Sequence, residues 1–359
     1  MNKIFYKESW RSLRLCVRDL LQRRRQWLVL IICFCCVSQP LLAGKYAASF
    51  LEIGVGARAL GMGGAFCSLV NDGTSFYWNP AGFAFLEKPQ LSGMYSPQFG
   101  SFKNPMANYH FVGYAHPLPG DAVLAVNWIR LAVDDIPLYS ELTGDSYWDR
   151  LHNPSLRPSG EPEGYIGDTE DAIYFSFAIM NHFKLDMGWQ YQKVRVDFPV
   201  GINLKWIRQS LGENEATGLG LDFGAMIRLH LSDFFEAERL GNFSFGIQFQ
   251  SLAGTSLSWN TRHQDSIPTN IKWGFSYRQP LWNSKNSLSF SFDRDSRWNG
   301  EKHWGIEYFG LGVLGLRLGI DQGNFTGGVG LRISVVQIDY AFLSHELGYL
   351  HRVSCAITI

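Results

Sequence analysis

Apolar and polar residues alternate along much of this 359-residue chain. In residues 219–230 nearly every second position is apolar, and glycine or polar residues lie between them. The same alternation is found in residues 243–250, 271–278, 288–292, 314–320 and 329–335. A period of two is typical of a β-strand whose two faces meet different surroundings. The pattern therefore predicts an all-β protein.

The length of these runs indicates where the strands lie. Many runs extend over roughly 9–12 residues, which is the length that a tilted strand needs to cross the hydrocarbon of a bilayer. The second face consists of Gly, Ser, Gln, Arg and Asp and suits a polar barrel interior. A soluble, secreted β-sandwich alternates too, but run length and the polar face favour a membrane barrel. Because a bilayer offers no partners to free backbone groups, such a sheet must close on itself.

The runs between residue 89 and the C-terminus predict a transmembrane antiparallel β-barrel of about 14 strands. Fifteen candidate strands begin near Pro89, Tyr109, Asp121, Asp171, Lys184, Gly201, Thr217, Gly241, Asn270, Asn286, His303, Val313, Thr326, Gln337 and His351. Some neighbours must therefore merge. Residues 117–121 and 321–324 are predicted as short periplasmic turns. Residues 134–170 are predicted as the largest extracellular loop, and residues 253–268 as a second one.

Residues 44–88 do not alternate and are dense in glycine. Gly61, Gly63 and Gly64 lie close together, and the turn Asn79-Pro80-Ala81-Gly82 follows. Pro80 fixes its own φ and restricts Asn79, and Gly82 permits a sharp exit from the turn. Small residues also let backbone pack directly against backbone. The segment is therefore predicted to be a hatch, or plug, inside the barrel formed by residues 89–359.

The N-terminus predicts export through the Sec pathway. Eight Lys or Arg residues lie in residues 1–25, an apolar run of about eleven residues follows in 27–37, and Ala43 comes after it. This order is that of a cleaved signal peptide, and the run is short for a membrane helix, which needs roughly 20 residues. The alternative interpretation is a membrane-anchored N-terminus.

Composition narrows the function classes. The chain has 37 glycines, 15% aromatic and 18% charged residues, and a mean hydropathy of −0.08, which argues against a polytopic helical membrane protein. Residues 44–359 hold 24 basic and 30 acidic residues, a net charge of about −6, so nothing favours nucleic acid. Only Cys67 and Cys355 lie beyond residue 43, and we expect two free thiols rather than a disulfide.

No motif for catalysis or cofactor binding stands out. The run from Gly54 to Ala59 superficially fits a dinucleotide fingerprint, but the βαβ unit that this chemistry requires is not predicted around it. The nine histidines are scattered, and no Gly-x-Ser-x-Gly elbow occurs. We therefore predict that the protein is not an enzyme and assign no catalytic residue, metal or cofactor. A phospholipase-type Ser–His pair assembled from distant strands is the weak alternative.

Several segments resemble the PorV/PorQ family, which belongs to the wider group of FadL-like outer-membrane barrels. The resemblance is strongest in Ile53–Phe66, Asn71-Asp72 and Tyr77–Gly82. Shorter matches follow in residues 134–137, 200–207, 220–224, 339–348 and 351–354. One departure is the C-terminus, Cys355-Ala356-Ile357-Thr358-Ile359, because outer-membrane barrels commonly end in an aromatic residue.

The resemblance implies a fourteen-stranded outer-membrane barrel with an N-terminal hatch, in which Asn79-Pro80-Ala81 is the hatch motif. It implies a role in transport or in protein secretion of the type IX kind at the outer membrane, with secreted cargo proteins or hydrophobic ligands as partners. The alternative is a FadL-like channel for hydrophobic ligands such as long-chain fatty acids, and a structural role in the envelope is a third. Outer-membrane lipid and the outer-membrane assembly machinery are expected partners in each case.

Overall fold

The computed structural model describes residues 47–101, 104–156, 160–186, 193–235, 237, 239–282, 285–297, 300–345 and 348–359. The predicted signal peptide, residues 1–43, lies outside this part of the chain.

Eighteen β-strands follow one another in the described residues. They are β1 Gln90–Ser101, β2 Asn104–Leu118, β3 Ala122–Leu138, β4 Gly164–Ile179, β5 His182–Asp186, β6 Lys193–Asp197, β7 Val200–Leu211, β8 Asn214–His230, β9 Asn242–Gln250, β10 Thr255–Trp259, β11 Gln264–Ile267, β12 Asn270–Leu281, β13 Asn286–Asp295, β14 Lys302–Gly310, β15 Leu314–Asp321, β16 Asn324–Ile333, β17 Val336–His345 and β18 Gly348–Thr358. Short α-helices span Ala57–Leu60, Ser75–Trp78, Tyr147–His152 and Leu231–Phe235, and 3₁₀ turns span Ser49–Glu52, Pro80–Phe85 and Pro154–Leu156.

Fourteen of these strands form a closed antiparallel barrel. Around the wall the order is β1-β2-β3-β4-β7-β8-β9-β12-β13-β14-β15-β16-β17-β18, and each strand pairs with both neighbours. The wall closes where β1 pairs with β18, from Gln90 opposite Thr358 to Tyr95 opposite Val353. The predicted fold class and strand number are confirmed.

The four remaining strands form two hairpins. β5 pairs with β6, which continues onto the end of β8, and β10 pairs with β11 and with β8. The candidate strand near Lys184 is therefore β5 of a hairpin, not a wall strand. All five β5 side chains are exposed. Its alternation resembles that of a wall strand because a two-stranded hairpin has the same period of two.

We call the end of the barrel at which β1 begins and β18 finishes end A, and the opposite end B. The turn before Ala122 lies at end A, and the turn at Gln322-Gly323 lies at end B, because β15 runs from A to B. The prediction that both turns lie on one side is therefore wrong. Alternate turns of an antiparallel barrel must lie at opposite ends.

End B carries the long connections. β3 and β4 extend toward it, so the connection proper is residues 139–163, shorter than the predicted segment 134–170, whose outer parts are strand. The ladder between β3 and β4 has a bulge between Val133 and Ile136. The predicted loop over residues 253–268 contains the β10–β11 hairpin.

The two faces of the wall differ as predicted. On β15, Leu316, Leu318 and Ile320 are exposed on the outside, whereas Arg317 between them is 3% exposed. The hydrophobic core lies within the lumen, where Phe76 of the segment before β1 packs on Phe111 of the wall, with ring centroids 5.2 Å apart. The outer surface is thus an apolar belt, whereas the inner surface combines polar side chains with apolar ones that pack on the hatch.

Candidate functional site

The candidate site is the hatch segment, residues 47–88, together with the inner wall that it contacts. The predicted turn lies at its base. The Asn79 side chain accepts a hydrogen bond from the Ala81 amide at 3.1 Å, and its Nδ2 lies within hydrogen-bond distance of the Cys67, Ala225 and Ile247 carbonyl oxygens. Asn79 therefore joins two parts of the hatch to strands β8 and β9.

Proline and glycine have different roles in this turn. Pro80 occupies the first position of the 3₁₀ turn Pro80–Phe85, where its fixed φ fits and no amide donor is needed. Gly82 lies inside the same turn, and a Cβ there would be 2.6 Å from Val70 Cγ1. Gly82 is thus required by close packing, and not by the sharp exit that the sequence predicts.

The other predicted hatch glycines lie against the opposite part of the wall. A Cβ on Gly61 would be 3.0 Å from Gly328 Cα, and one on Gly63 would be 2.7 Å from the carbonyl oxygen of Ile320. Gly63 and Gly64 also have φ of 65° and 75°, which L side chains rarely adopt. Gly64 has no comparably close neighbour, so its backbone conformation alone accounts for glycine there.

The wall presents glycines where the hatch backbone touches it. Gly305 and Gly319 are directly paired on β14 and β15, and Met62-Gly63 lies against both. Gly201 and Gly224 are paired on β7 and β8.

Against this second pair lies the Asn79-Pro80-Ala81 turn. A third pair joins Gly246 of β9 to Gly274 of β12, and the Cys67 carbonyl would be 2.6 Å from a Cβ on Gly246. Paired glycines on neighbouring strands therefore leave space in which the hatch backbone contacts the wall directly. The sequence analysis did not identify this pairing of inward-facing glycines.

Charged side chains fix one side of the hatch. Arg58 Nε and Nη2 donate to the two Glu307 oxygens, both at 2.9 Å, and Arg58 Nη1 reaches Asp72 at 3.2 Å. Arg317 donates to Glu307 at 2.8 Å and to Asp339 at 2.7 Å. Two cations and three carboxylates thus share one buried network between hatch and wall. We call it the Arg58 latch.

Wall side chains also satisfy the hatch backbone. Asp293 accepts hydrogen bonds from the amides of Phe66 and Cys67, at 2.7 and 2.6 Å. Asn203 donates to the Phe76 carbonyl at 2.7 Å, and Gln248 to the Tyr77 carbonyl at 3.1 Å. The hatch therefore depends on the wall for hydrogen bonds that its short helices cannot make internally.

The buried cysteine of the hatch has no reactive thiol in this arrangement. Cys67 and Cys355 are free, as the sequence predicts. Cys67 is fully buried in the hatch, and burial raises the pKa of its thiol well above the ordinary value. The neutral thiol is a poor nucleophile.

Cavities lie on both sides of the hatch. The end-B cavity has a volume of about 420 Å³ and is floored by Tyr77 and Trp78. Its charged lining consists of Glu52, Lys272, Asp295, Arg297, Glu301 and Asp321. The end-A cavity, about 520 Å³, is lined in part by Phe85, Asp197 and Arg228. The end-B cavity is therefore rich in charge close to the hatch, whereas most of the residues that line the end-A cavity are apolar.

At end A a carboxylate lies between two histidines. Asp197 is 2.9 Å from His182 Nδ1 and 3.0 Å from His230 Nε2. The Arg228 guanidinium stacks 3.6 Å above the ring of Phe85. These contacts tie the β5–β6 hairpin and the base of the hatch to the wall.

No group of three or more His, Cys, Asp or Glu side chains in the described residues is arranged to hold a metal ion. None of the helices in the same ranges combines the length and apolar character needed to span a membrane.

No family model and no curated protein matches the sequence. Among solved structures, the Pseudomonas putida toluene transporter TodX is similar to 84% of this chain over 96% of its own, at 10% identity and a TM-score of 0.46. The outer-membrane protein Omp33 of Acinetobacter baumannii matches 76% of this chain and 98% of its own, at 6% identity and a TM-score of 0.38. CdiB from Acinetobacter baumannii matches 76% of this chain and 60% of its own, at 9% identity and a TM-score of 0.39. The fold assignment therefore depends on the strand pairing described above.

Proposed function

We propose that the chain is an outer-membrane barrel of the PorV/PorQ type that serves protein secretion or surface anchoring, with end B outside the cell. The apolar belt and the closed wall support a membrane location, because a bilayer tolerates sheets only without free edges. Both ends of the barrel chain lie at end A, and the longest connection, residues 139–163, lies at end B. Outer-membrane barrels have short periplasmic turns and longer extracellular loops.

The observation that carries the proposal is a lumen that the hatch closes. Met62, Phe66 and Phe76 of the hatch are fully buried inside the barrel, and the Arg58 latch joins hatch to wall. A conduit for apolar molecules would need a continuous apolar path, whereas the hatch lies between the two cavities and the end-B cavity has six charged side chains in its lining. A barrel that stays closed is suited to act as a platform for other proteins.

End B offers a surface for such partners. Tyr139, Leu142, Tyr147 and Trp148 are 58–67% exposed on the long connection. Exposed aromatic and aliphatic groups in one segment are typical of protein-binding surfaces. This segment is a second feature that favours docking over uptake.

Deletion of the gene in the source bacterium tests the proposal. The surface and secreted proteomes and the uptake of radiolabelled oleate would be compared between the deletion strain and a strain complemented with the intact gene. We expect specific proteins to disappear from the surface while oleate uptake is unchanged. Normal surface proteins with lost oleate uptake would instead support the FadL-like alternative.

A variant of the long connection sharpens this experiment. Complementation with Tyr147→Ser and Trp148→Ser together should fail to restore the surface proteins, because both exposed rings are lost. The matched control is Trp282→Ser, an aromatic residue 90% exposed at end A. Restoration by both variants would argue against docking at this segment.

A further inference from the structure

The charges at end B are unevenly distributed. Residues 134–170 hold nine acidic and two basic residues, so their net charge of −7 exceeds the −6 of all residues from 44 onward. The remainder of that chain is nearly neutral. A projecting acidic segment attracts basic partners over roughly a Debye length of about 8 Å at physiological salt.

The end-B cavity also favours positively charged groups. Two of its carboxylates are already paired, since Glu52 contacts Arg297 at 2.5 Å and Asp295 contacts Lys272 at 3.3 Å. Glu301 and Asp321 have no lysine or arginine within ion-pair distance among the described residues. The lining of the cavity therefore has two more carboxylates than lysine and arginine side chains.

A buried histidine in the same cavity has a ring nitrogen without a hydrogen-bond partner. His303 is 7% exposed and lines the cavity, and its Nδ1 lies 2.9 Å from both the Gly63 carbonyl oxygen and Asp321 Oδ1. Because both neighbours are acceptors, Nδ1 must carry the proton. When the ring is neutral, Nε2 is an acceptor, and it has no hydrogen-bond partner in the part of the chain that the structure describes.

The aromatic side of the cavity already holds one cation, because Lys272 Nζ lies 4.9 Å from the centroid of a Trp78 ring and 3.3 Å from Asp295. A second cation would therefore bind at Glu301, Asp321 and His303. A group with several N–H donors and a positive charge can satisfy two carboxylates and an imidazole nitrogen together. Ammonium and guanidinium groups have both properties.

We infer that the end-B cavity binds a lysine or arginine side chain of a protein that docks at end B. The inference rests on the proposed function and specifies its partner as a basic segment. The acidic residues of 134–170 attract that segment, and Glu301, Asp321 and His303 bind one of its side chains. At about 420 Å³ the cavity has room for one such side chain.

Binding of a defined peptide tests the inference. The probe is a dye-labelled Gly-Ser peptide with one central lysine, and the comparison peptide has norleucine at that position. Both are titrated against the full mature chain in detergent micelles, with affinity measured by fluorescence anisotropy. We expect the lysine peptide to bind at least about tenfold more tightly, which is the effect of about 1.4 kcal/mol.

Two double variants locate the site. Glu301→Gln with Asp321→Asn should weaken binding of the lysine peptide about tenfold or more. The control, Glu213→Gln with Glu215→Gln, removes the same charge from the β7–β8 turn at the same end and should leave the affinity within about twofold. Slower migration after boiling on SDS gels would confirm that both variants form barrels.

Three outcomes would overturn the inference: equal binding of the two peptides, equal losses in the two double variants, or no loss in either. These results concern purified protein and are separate from the proteome experiment. If deletion removes surface proteins but the lysine peptide does not bind, the proposed function stands and only the cationic partner is rejected.

Discussion

At the residue scale, glycine sets how closely the hatch approaches the wall. A Cβ on Gly319 would overlap the Gly63 amide and the Met62 carbonyl carbon, both of which are backbone and cannot rotate away. Gly319→Ala should therefore weaken hatch docking by about 1–3 kcal/mol, the usual effect of overpacking. Amide hydrogen exchange in residues 57–68 should then accelerate about 5- to 150-fold. Gly164→Ala is the control, since a Cβ there meets nothing within 4 Å.

Strand β7 offers a comparison of a buried and an exposed ion pair. Lys205 lies 2.7 Å from Asp222 and both side chains are under 5% exposed, whereas Arg208 pairs with Glu215 at 2.6 Å with both near half exposed. Lys205→Met leaves a buried carboxylate unpaired and should lower the free energy of unfolding by about 3–5 kcal/mol. Arg208→Met should change it by less than about 1 kcal/mol. Urea unfolding from lipid vesicles, followed by tryptophan fluorescence, measures both, and equal effects would contradict this assignment.

The pH dependence of the end-B cavity follows from one loop residue. Burial, with a smaller contribution from Asp295, raises the pKa of Glu301 to about 7, and Asp321 acts in the same direction while His303 and Lys272 oppose it. Because the pKa of Glu301 is raised above its ordinary value, the folded state holds this proton more tightly than the unfolded state does. The stability that this gives the folded state is therefore lost as the pH rises through about 7. Binding has the opposite sign, because only ionised Glu301 attracts a cation.

The lysine peptide should therefore bind several-fold more tightly at pH 8 than at pH 6. Anisotropy titrations at the two pH values, with Glu301→Gln as the comparison, measure the contribution of this group. An undiminished rise in the variant would assign the titration to another residue.

At the element scale, the Arg58 latch should hold the hatch closed. Cys67 is buried in the hatch and reports on its opening, provided that the exposed Cys355 is first replaced by serine. In that background Arg58→Gln leaves Glu307 without one of its two arginines, so maleimide should label Cys67 at least about tenfold faster, as expected for a loss of 1.4 kcal/mol or more. The control Arg332→Gln removes an exposed arginine that bonds Gln337. Equal labelling rates would show that the latch does not restrain the hatch.

The elements differ in how far the sequence predicts them. Wall strands such as β15 are predictable because the belt and the lumen impose opposite polarity on alternate residues. The β5–β6 hairpin has the same period of two but is not part of the wall. Periodicity alone therefore predicted a wall strand near Lys184 where the structure has the first strand of this hairpin. The latch was not predictable, because Arg58 and Glu307 are 249 positions apart and meet only when the barrel closes. The Asn79 turn was found from local backbone chemistry, whereas its seat on Gly201 and Gly224 depends on strand register.

At the scale of the whole molecule, closure is the condition for the other features. Val353 of β18 is paired with Tyr95 of β1 and with Tyr340 of β17, so a proline there removes an amide from the seam between the first and last strands. In a bilayer each unsatisfied backbone group costs several kcal/mol, because no water replaces the lost partner. Val353→Pro should therefore prevent formation of the heat-modifiable species on SDS gels after refolding into vesicles. The control Glu141→Pro, in the exposed end-B connection, should refold as the unmodified chain does. If Val353→Pro also refolds fully, then the β1–β18 seam does not hold the wall closed, and the hatch contacts would have to stabilise the barrel without it.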